Sequence, residues 1–352
     1  SIEEGLSDAP KLLKDLGESI IKPLATVMKE SKTLFITPDG ELNKIPFAAL
    51  GGYEGDKLLV DQIKIRLLTT GRELIYLQEK YKSKPHISYV FANPSFELDR
   101  EITSEAKQIK SSLELNSAQN RSIDFGNYEW ASLQGTYKEG KFIAKIIDAI
   151  LFVEEKATAK EIFNIKNPKI LHIASHSFYL KNQERKNSFS KQLSRLRKMK
   201  SFKYFANNEN PLLRSGVVLA GANNPELKDD DDGYLTALEV TQLDWNGTEL
   251  VVISGCESGL GEIKNGEGIY GLKRAISVAG AKSSLLSLWK VDDDSIAVFM
   301  KSYYERLVAG EGRAEALINT QKEFRNHKNK NFRHPYIWAA FQLSGDWRPI
   351  DF

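Results

Sequence analysis

Short apolar runs alternate with helical patterns along the second half of the chain. Three of these runs are almost entirely apolar and five residues long, at 170–174, 250–254 and 284–288. Such runs are typical of central strands in a parallel sheet that is covered on both faces. A helical pattern over 269–279 lies between the last two runs. The second half therefore predicts an open, mostly parallel α/β sheet.

The first half shows the same alternation less strongly. Apolar positions at helical spacing predict a helix within residues 10–30. Shorter apolar stretches predict further strands at 33–37, 63–68 and 87–92, and the Pro38-Asp39-Gly40 turn ends the first of them.

A polar segment suggests where the chain divides. Residues 112–128 are rich in Ser, Asn, Gln and Gly, which is typical of a linker. We predict a smaller α/β region over 1–124 and a larger α/β domain over 125–352. Residues 1–30 would form a helical connection to an upstream domain.

Composition and charge narrow the classes of function. The 49 basic and 47 acidic residues leave a net charge of +2, which argues against a general nucleic-acid-binding protein. No apolar run reaches the roughly 18 residues that a membrane span requires. Cys256 is the single cysteine, so a disulfide within the chain is excluded and a reducing, cytoplasmic location is expected.

Two of the predicted central strands end in a reactive side chain. The strand at 170–174 leads into His176, and the strand at 250–254 leads into Gly255-Cys256-Glu257-Ser258-Gly259. If these strands are adjacent and parallel, His176 and Cys256 emerge at the same edge of the sheet. A thiol needs a nearby base to act as a nucleophile, and the N–H of Cys256 could stabilise an oxyanion. The pattern favours a Cys–His nucleophilic site.

Other readings of these residues stay open. A lone cysteine is often a small buried hydrophobic residue, and a lone histidine is often part of the core. His172 lies inside its strand and is interpreted as structural. The G-x-G-x-x-G pattern at 266–271 begins twelve residues after the nearest strand, too far for a dinucleotide site. We predict no cofactor and no metal.

A basic segment separates the two reactive residues. His176 and Cys256 lie 80 residues apart, whereas caspases place the histidine roughly 50 residues before the cysteine. Residues 181–210, with nine Lys or Arg and two Glu, account for the excess, and their apolar positions recur at helical spacing. This insert is expected to be a packed helix, an activator-docking element, a membrane-surface contact or a self-cleavage segment.

Several motifs in order resemble the CHAT family of caspase-like proteases, which are relatives of separase and often follow TPR repeats. The resemblance runs almost end to end and is carried by Phe35-Ile-Thr-Pro-Asp-Gly40, Ile45-Pro-Phe-Ala-Ala-Leu50, Leu171-His-Ile-Ala-Ser-His176, Tyr234-Leu-Thr-Ala-Leu-Glu239, Val251-Val-Ile-Ser-Gly-Cys-Glu-Ser-Gly-Leu-Gly261, Gly266-Glu-Gly-Ile-Tyr-Gly-Leu272, Leu288-Trp-Lys-Val-Asp-Asp293 and His334-Pro-Tyr-Ile-Trp-Ala-Ala-Phe341. It implies a caspase-like αβα sandwich over 125–352, preceded by a non-catalytic, pseudo-caspase-like region.

The resemblance also implies roles for particular residues. His176 and Cys256 would form the catalytic dyad, with an oxyanion hole from the backbone N–H groups of Ser177 and Cys256. In separase-like relatives, acidic residues after a Leu-Trp pair form the floor of the first specificity pocket. That role falls here to Asp293, with Asp292 as the second candidate. The acids could instead simply favour the dipole of the helix that follows them.

The implied function is a cysteine endopeptidase that cleaves proteins after Arg or Lys. An upstream TPR or sensor domain, or an activating protein, would control it, as in bacterial defence or signalling. A catalytically silent interaction module that keeps the fold is the main alternative, and an acyltransferase using the same thiol is a second.

Overall fold

The structure, a computed structural model, describes residues 8–78, 87–97, 129–179, 211–224, 232–255 and 267–352. The strands are β1 (Thr33–Ile36), β2 (Lys64–Leu67), β3 (Ser88–Pro94), β4 (Ala149–Glu154), β5 (Ile170–Ala174), β6 (Ser177–Tyr179), β7 (Ser215–Val218), β8 (Tyr234–Thr236), β9 (Leu250–Ile253), β10 (Ser283–Ser287) and β11 (Phe341–Gly345). The α-helices are α1 (Ala9–Ile20), α2 (Ala25–Met28), α3 (Glu73–Gln78), α4 (Gln134–Ile146), α5 (Ala159–Asn164), α6 (Ala237–Val240), α7 (Glu267–Val278), α8 (Asp293–Val308), α9 (Arg313–Arg325) and α10 (Pro335–Trp338).

Eight strands form one large sheet in the order β1-β2-β11-β10-β9-β5-β3-β4. All neighbouring pairs are parallel except β10 and β11, which are antiparallel. The six strands predicted from the apolar runs are all present in this sheet. The predicted mostly parallel α/β sheet is therefore confirmed, with one change of strand direction between β10 and β11.

Helices cover both faces of this sheet because its central strands are apolar on both faces. All five residues of β5 are buried. Ile170 and Ala174 belong to the core that also contains residues of α4, α8 and α9, whereas Leu171 and Ile173 belong to the core that contains residues of α5, α6 and α7. The result is the predicted αβα sandwich.

Strands from both sides of residue 124 contribute to the large sheet. β1 and β2 form one edge, and β3 lies between β5 and β4. The division at residue 124 remains a prediction about the roles of the two regions, and the linker interpretation of 112–128 falls outside the described residues.

The predicted helix over 10–30 is interrupted: α1 ends at Ile20 and a 3-10 turn follows at Lys22–Leu24. Pro23 explains the break because its ring cannot continue the hydrogen bonding of an α-helix.

A small antiparallel sheet stands beside the end of β5. Its order is β6-β7-β8, and β6 begins directly after His176. The following helix α6 begins with a capping box, in which Thr236 and Glu239 bond to each other's backbone N–H groups. Within the described residues, no helix is both long and apolar enough to cross a membrane.

Candidate active site

The strands that carry the two predicted catalytic residues are direct neighbours. β5 and β9 pair in parallel, with Ile170 opposite Leu250 and Ile173 opposite Ile253. Positions 176 and 256 each follow this last pair by three residues. The condition set by the sequence, two adjacent parallel strands ending at one edge, is therefore met.

The two strand ends stay in contact up to the residues beside the dyad. Ser254 N–H donates to the Ile173 carbonyl at 3.1 Å. Gly255 then passes so close to Ser175 that any Cβ on Gly255 would collide with the Ser175 carbonyl oxygen. Cys256 itself lies outside the described residues. The residue before Cys256 thus touches the residue before His176, and only glycine permits this approach.

His176 is held between two aromatic rings. Its side chain is buried, and its ring centroid lies 5.2 Å from that of Phe96 and 5.3 Å from that of Trp130. The Nε2 atom lies 2.7 Å from the carbonyl oxygen of Ala131. A carbonyl only accepts hydrogen bonds, so Nε2 carries the proton and Nδ1 is the basic nitrogen in the neutral ring.

A set of hydrogen bonds fixes the segment that provides this carbonyl. The side chain of Asn223 accepts from the Trp130 N–H at 2.8 Å and donates to the Trp130 carbonyl at 3.0 Å. The indole N–H of Trp130 donates to the Tyr234 hydroxyl at 3.0 Å, which donates to the Ala222 carbonyl at 3.2 Å. The group that orients His176 is thus the backbone carbonyl of Ala131, and a backbone carbonyl cannot be recognised from a side-chain motif in the sequence.

Ser177, the second predicted oxyanion-hole residue, begins β6. His176 and Val218 form a hydrogen-bonded position of the β6–β7 ladder, since Val218 N–H donates to the His176 carbonyl at 2.8 Å. The next pair, Ser177 and Val217, is therefore a non-hydrogen-bonded position. The N–H of Ser177 points away from β7 and towards the outer edge of the small sheet.

Asp292 and Asp293 lie where α8 begins. Asp292 is the N-cap residue, and its carboxylate accepts from the Ser295 N–H at 3.0 Å. Asp293 is the first helical residue and packs against Gly135, where a Cβ would overlap the Asp293 side chain. Asp292 therefore has a structural task as a cap, whereas Asp293 lies against the segment that orients His176.

An acidic groove of about 780 Å³ runs along this segment. It is lined by Asn93, Ser132, Gln134, Gly135, Tyr137, Lys138, Glu154, Asp292, Asp293 and Asp294. Four carboxylates and one lysine line it, and Ser132 adjoins in sequence the Ala131 whose carbonyl binds His176. The groove thus begins next to the histidine and favours positively charged occupants.

The electrostatics of Asp293 tie it to its surroundings. Burial raises the pKa of this half-buried carboxyl above its ordinary value, and the negative charge of Glu139 raises it further. The nearby charge of His176 lowers the same pKa. Asp293 is thus close enough to His176 for the two charges to interact, although the sequence places them 117 residues apart.

Below the site, His172 bridges two buried side chains. Its Nε2 lies 3.0 Å from Oε1 of Glu139 on α4, and its Nδ1 lies 3.0 Å from the hydroxyl of Tyr304 on α8. A carboxylate only accepts hydrogen bonds, so Nε2 carries the proton of the neutral ring and Nδ1 accepts from the Tyr304 hydroxyl, which burial keeps protonated by raising its pKa well above the ordinary value. The neutral ring then donates from Nε2 to Glu139. Both ring nitrogens of His172 are therefore occupied by structural hydrogen bonds that join α4 and α8.

The described part of the chain contains no group of three or more His, Cys, Asp or Glu side chains placed to hold a metal ion.

Comparison with known proteins gives one family and a few distant relatives. The CHAT domain family model matches residues 10–346. Human tetratricopeptide repeat protein 28 is 22% identical over 339 residues, which cover 89% of this chain but only 12% of that protein.

Two solved structures are similar at low sequence identity. The Arg-specific cysteine proteinase gingipain R is 9% identical with a TM-score of 0.48, and the match covers 95% of this chain and 70% of that one. Separase in the Saccharomyces cerevisiae separase–securin complex is 14% identical with a TM-score of 0.41, over 86% of this chain and 15% of the other.

Proposed function

Because the chain belongs to the CHAT domain family, whose model matches it from residue 10 to residue 346, we propose that it is a cysteine endopeptidase with a His176–Cys256 dyad. One observation carries the proposal: β5 and β9 are adjacent, parallel and in register, so the two residues follow the same edge of the sheet. The contact of Gly255 with Ser175 supports it, because the chain approaches closely just before both residues.

In the proposed reaction, Nδ1 of His176 takes the proton of the Cys256 thiol. The thiolate attacks the carbonyl carbon of the scissile bond, and the N–H groups of Cys256 and Ser177 stabilise the resulting oxyanion. The C–N bond breaks as His176 returns the proton to the leaving amine, which leaves a thioester. Water, deprotonated by the same histidine, hydrolyses the thioester and regenerates the thiol. The bond from Nε2 to Ala131 stabilises the imidazolium that forms in each half.

The acidic groove supports a preference for Arg or Lys before the scissile bond. Asp293 is the proposed partner of that side chain because it is half-buried and interacts electrostatically with His176. A carboxylate held away from water binds a guanidinium through charge-assisted hydrogen bonds. Asp292 is the weaker candidate since its carboxylate already caps α8.

A direct test is labelling of Cys256 by a peptidyl acyloxymethyl ketone that carries Arg next to the reactive group. We expect one adduct on Cys256 by mass spectrometry in the wild type, and none in Cys256→Ala or His176→Ala. Peptide cleavage should fall by roughly 10³-fold or more in both variants, because the two residues act as a unit.

His327→Ala is the matched control, since this half-buried histidine follows α9, belongs to neither the proposed dyad nor the acidic groove, and should not affect labelling. Cleavage at the wild-type rate by Cys256→Ala or His176→Ala would show that these two residues are not the catalytic dyad. A folded wild type that neither labels nor cleaves, even with candidate activators, would identify a silent interaction module instead.

Control of the activity is the second part of the proposal. Residues 181–210 lie outside the described residues, between β6 and β7, and β6 begins directly after His176. We propose that an upstream TPR or sensor domain, or a protein partner in the cytoplasm, reorders this insert. A displacement of about 1 Å at His176 can cost roughly 100-fold in rate.

Replacement of residues 183–207 by a short Gly/Ser linker tests this control. We expect a changed basal rate and a lost response to the activator, measured with an Arg-containing peptide. Self-cleavage after Arg195 or Arg197 is a second route, which mass spectrometry of the purified chain would detect. Basal rate and response identical to the wild type would make the insert a passive element.

A further inference from the structure

Because β11 runs antiparallel to β10, the sheet has carboxyl ends of strands at two opposite edges. β2 and β11 are parallel to each other and opposite in direction to β10, β9 and β5. Their carboxyl ends therefore lie at the edge of the sheet farthest from His176. Ligands of open α/β sheets commonly bind outside the carboxyl ends of strands. A groove of about 1040 Å³ opens at this edge, larger than the acidic groove beside His176.

Lys273 is a buried cation in the wall of this groove. It lies on α7, and the residue is only 5% exposed. Its ammonium makes one long hydrogen bond, 3.5 Å from the carbonyl oxygen of Leu68 just after β2. Burial lowers the pKa of Lys273 to about 8, against the opposing effect of the Glu73 charge. An ammonium has three donors, so most of its hydrogen-bonding capacity is unused among the described residues.

The acids around Lys273 are already engaged. The carboxylate of Glu73 accepts from the Thr69 N–H at 3.0 Å and from the Ser277 hydroxyl at 3.4 Å. Glu249 pairs with Lys282 at 2.6 Å and with the buried Arg313.

Asp346 is engaged in the same way. It pairs with Arg348 at 2.8 Å and with Arg313 at 3.4 Å. Of the groove-lining cations in the described part of the chain, Lys273 is therefore the buried one with no carboxylate partner.

We propose that this groove binds a small organic anion whose carboxylate or phosphate oxygens accept hydrogen bonds from Lys273. The anion would supply the acceptors that this buried ammonium lacks, and bonds to a charged donor are the strong ones. The volume of the groove fits a ligand of metabolite size rather than a bare inorganic ion.

The position of Lys273 gives the site a regulatory consequence. α7 begins at Glu267, eleven residues after Cys256, so the segment that carries the proposed nucleophile leads directly into the helix that carries Lys273. An anion that anchors α7 would change the rate of peptide cleavage. This consequence rests on the proposed protease function, whereas the binding site does not.

The test measures binding first, on the full chain. Isothermal titration and thermal unfolding would be followed with pyrophosphate and with citrate, against sodium chloride of equal ionic strength. We expect one or both anions to bind and to raise the melting temperature. Pyrophosphate alone would identify phosphate ligands, citrate alone would identify carboxylates, and both would identify a general oxyanion site.

Lys273→Met should weaken that binding by roughly 10- to 100-fold, the equivalent of one lost charge-assisted hydrogen bond. Arg274→Gln is the matched control, because this neighbouring residue is exposed and absent from the groove lining. Equal binding by Lys273→Met and wild type, or no binding of either anion at 10 mM (a concentration of roughly this order detects even weak sites), would overturn the proposal.

Two further measurements keep the outcome clear. If Lys273→Met does not fold, the wild type is acetylated at pH 8 with an N-hydroxysuccinimide ester, and the bound anion should protect Lys273 but not the exposed lysines of other elements. Lack of protection would count against the site. Anion binding without any change in cleavage rate would remove the regulatory consequence alone, and a chain that binds anions but never cleaves would refute only the protease function.

Discussion

The Nε2 atom of His176 lies 2.7 Å from the carbonyl oxygen of Ala131, so a backbone group sets the tautomer of the proposed catalytic base. That carbonyl is fixed through its neighbour Trp130, whose backbone and indole are bonded to Asn223 and Tyr234. The orientation of the base therefore depends on the packing of one tryptophan.

Trp130→Ala should lower kcat by roughly 10- to 100-fold, because His176 loses a neighbouring ring and the Ala131 carbonyl loses its support. The KM should change little, since Trp130 does not line the acidic groove. Trp130→Phe keeps the ring contact but loses the bond to Tyr234, and it should fall between the wild type and the alanine variant. Steady-state kinetics with an Arg-containing peptide measure both values. A change in KM alone would show that Trp130 acts on substrate binding.

Asp293→Ala should reduce kcat/KM for substrates with Arg before the scissile bond more than for substrates with a neutral residue. Loss of one partner from a buried charge pair costs about 2–5 kcal/mol, and the half-exposed position of Asp293 favours the lower end. Asp294→Ala is the matched control, because Asp294 is exposed in the same groove. A peptide library profiled with both variants measures the effect. Equal losses for Arg and neutral substrates would assign Asp293 a general structural role.

The preference for Arg should itself depend on pH. Burial and the charge of Glu139 hold the pKa of Asp293 above the ordinary value of 3.8. As pH falls, Asp293 therefore becomes neutral earlier than an exposed carboxyl does, and the attraction for Arg is lost from that raised pKa downwards. The ratio of kcat/KM for Arg and neutral substrates isolates this effect, because a change in the rate of the chemical step affects both substrates alike.

Asp293→Asn should abolish this dependence of the ratio on pH. The stability of the fold should change in the opposite direction. The unfolded state loses the Asp293 proton near the ordinary pKa of 3.8, whereas the folded state keeps it up to the raised pKa, so the free energy of unfolding falls as pH rises between these two values and stays lowered above them. A ratio that stays constant down to the ordinary range of exposed carboxyls would contradict the assignment.

The buried bridge at His172 predicts a contrast between two adjacent tyrosines. Tyr304→Phe removes the donor to Nδ1 of His172 and should lower the free energy of unfolding by about 1–3 kcal/mol. Tyr303→Phe is the matched control on the same helix. Tyr303 is equally buried, and its hydroxyl has no hydrogen-bond partner among the described residues, so its removal should cost little or even stabilise. Urea unfolding of both variants measures the difference, and equal losses would show that the bond to His172 contributes nothing.

The sequence by itself determined the class of fold and the family, and it named His176 and Cys256 as the candidate dyad. Continuous apolar runs predicted the central strands, because a strand that is buried on both faces has apolar side chains at nearly every position. The placement of His176 and Cys256 after two such runs, together with ordered motifs along the chain, identified the family that the comparison confirms. β11 was not predicted because Gln342 and Ser344 interrupt its apolar positions. β4 was not predicted because its apolar run follows closely on the apolar residues that end α4, and periodicity alone does not separate such a run from a helix.

Tertiary structure alone decided which groups meet. The register of β5 and β9, the reversal at β11 and the contact of Asp293 with Gly135 all join residues that are far apart in sequence. The group that orients His176 is a carbonyl, which every residue possesses, so no residue type could mark Ala131 in advance. Likewise, nothing in the sequence distinguishes Lys273 from an exposed helical lysine. Its burial results from tertiary packing, which the residue type does not determine.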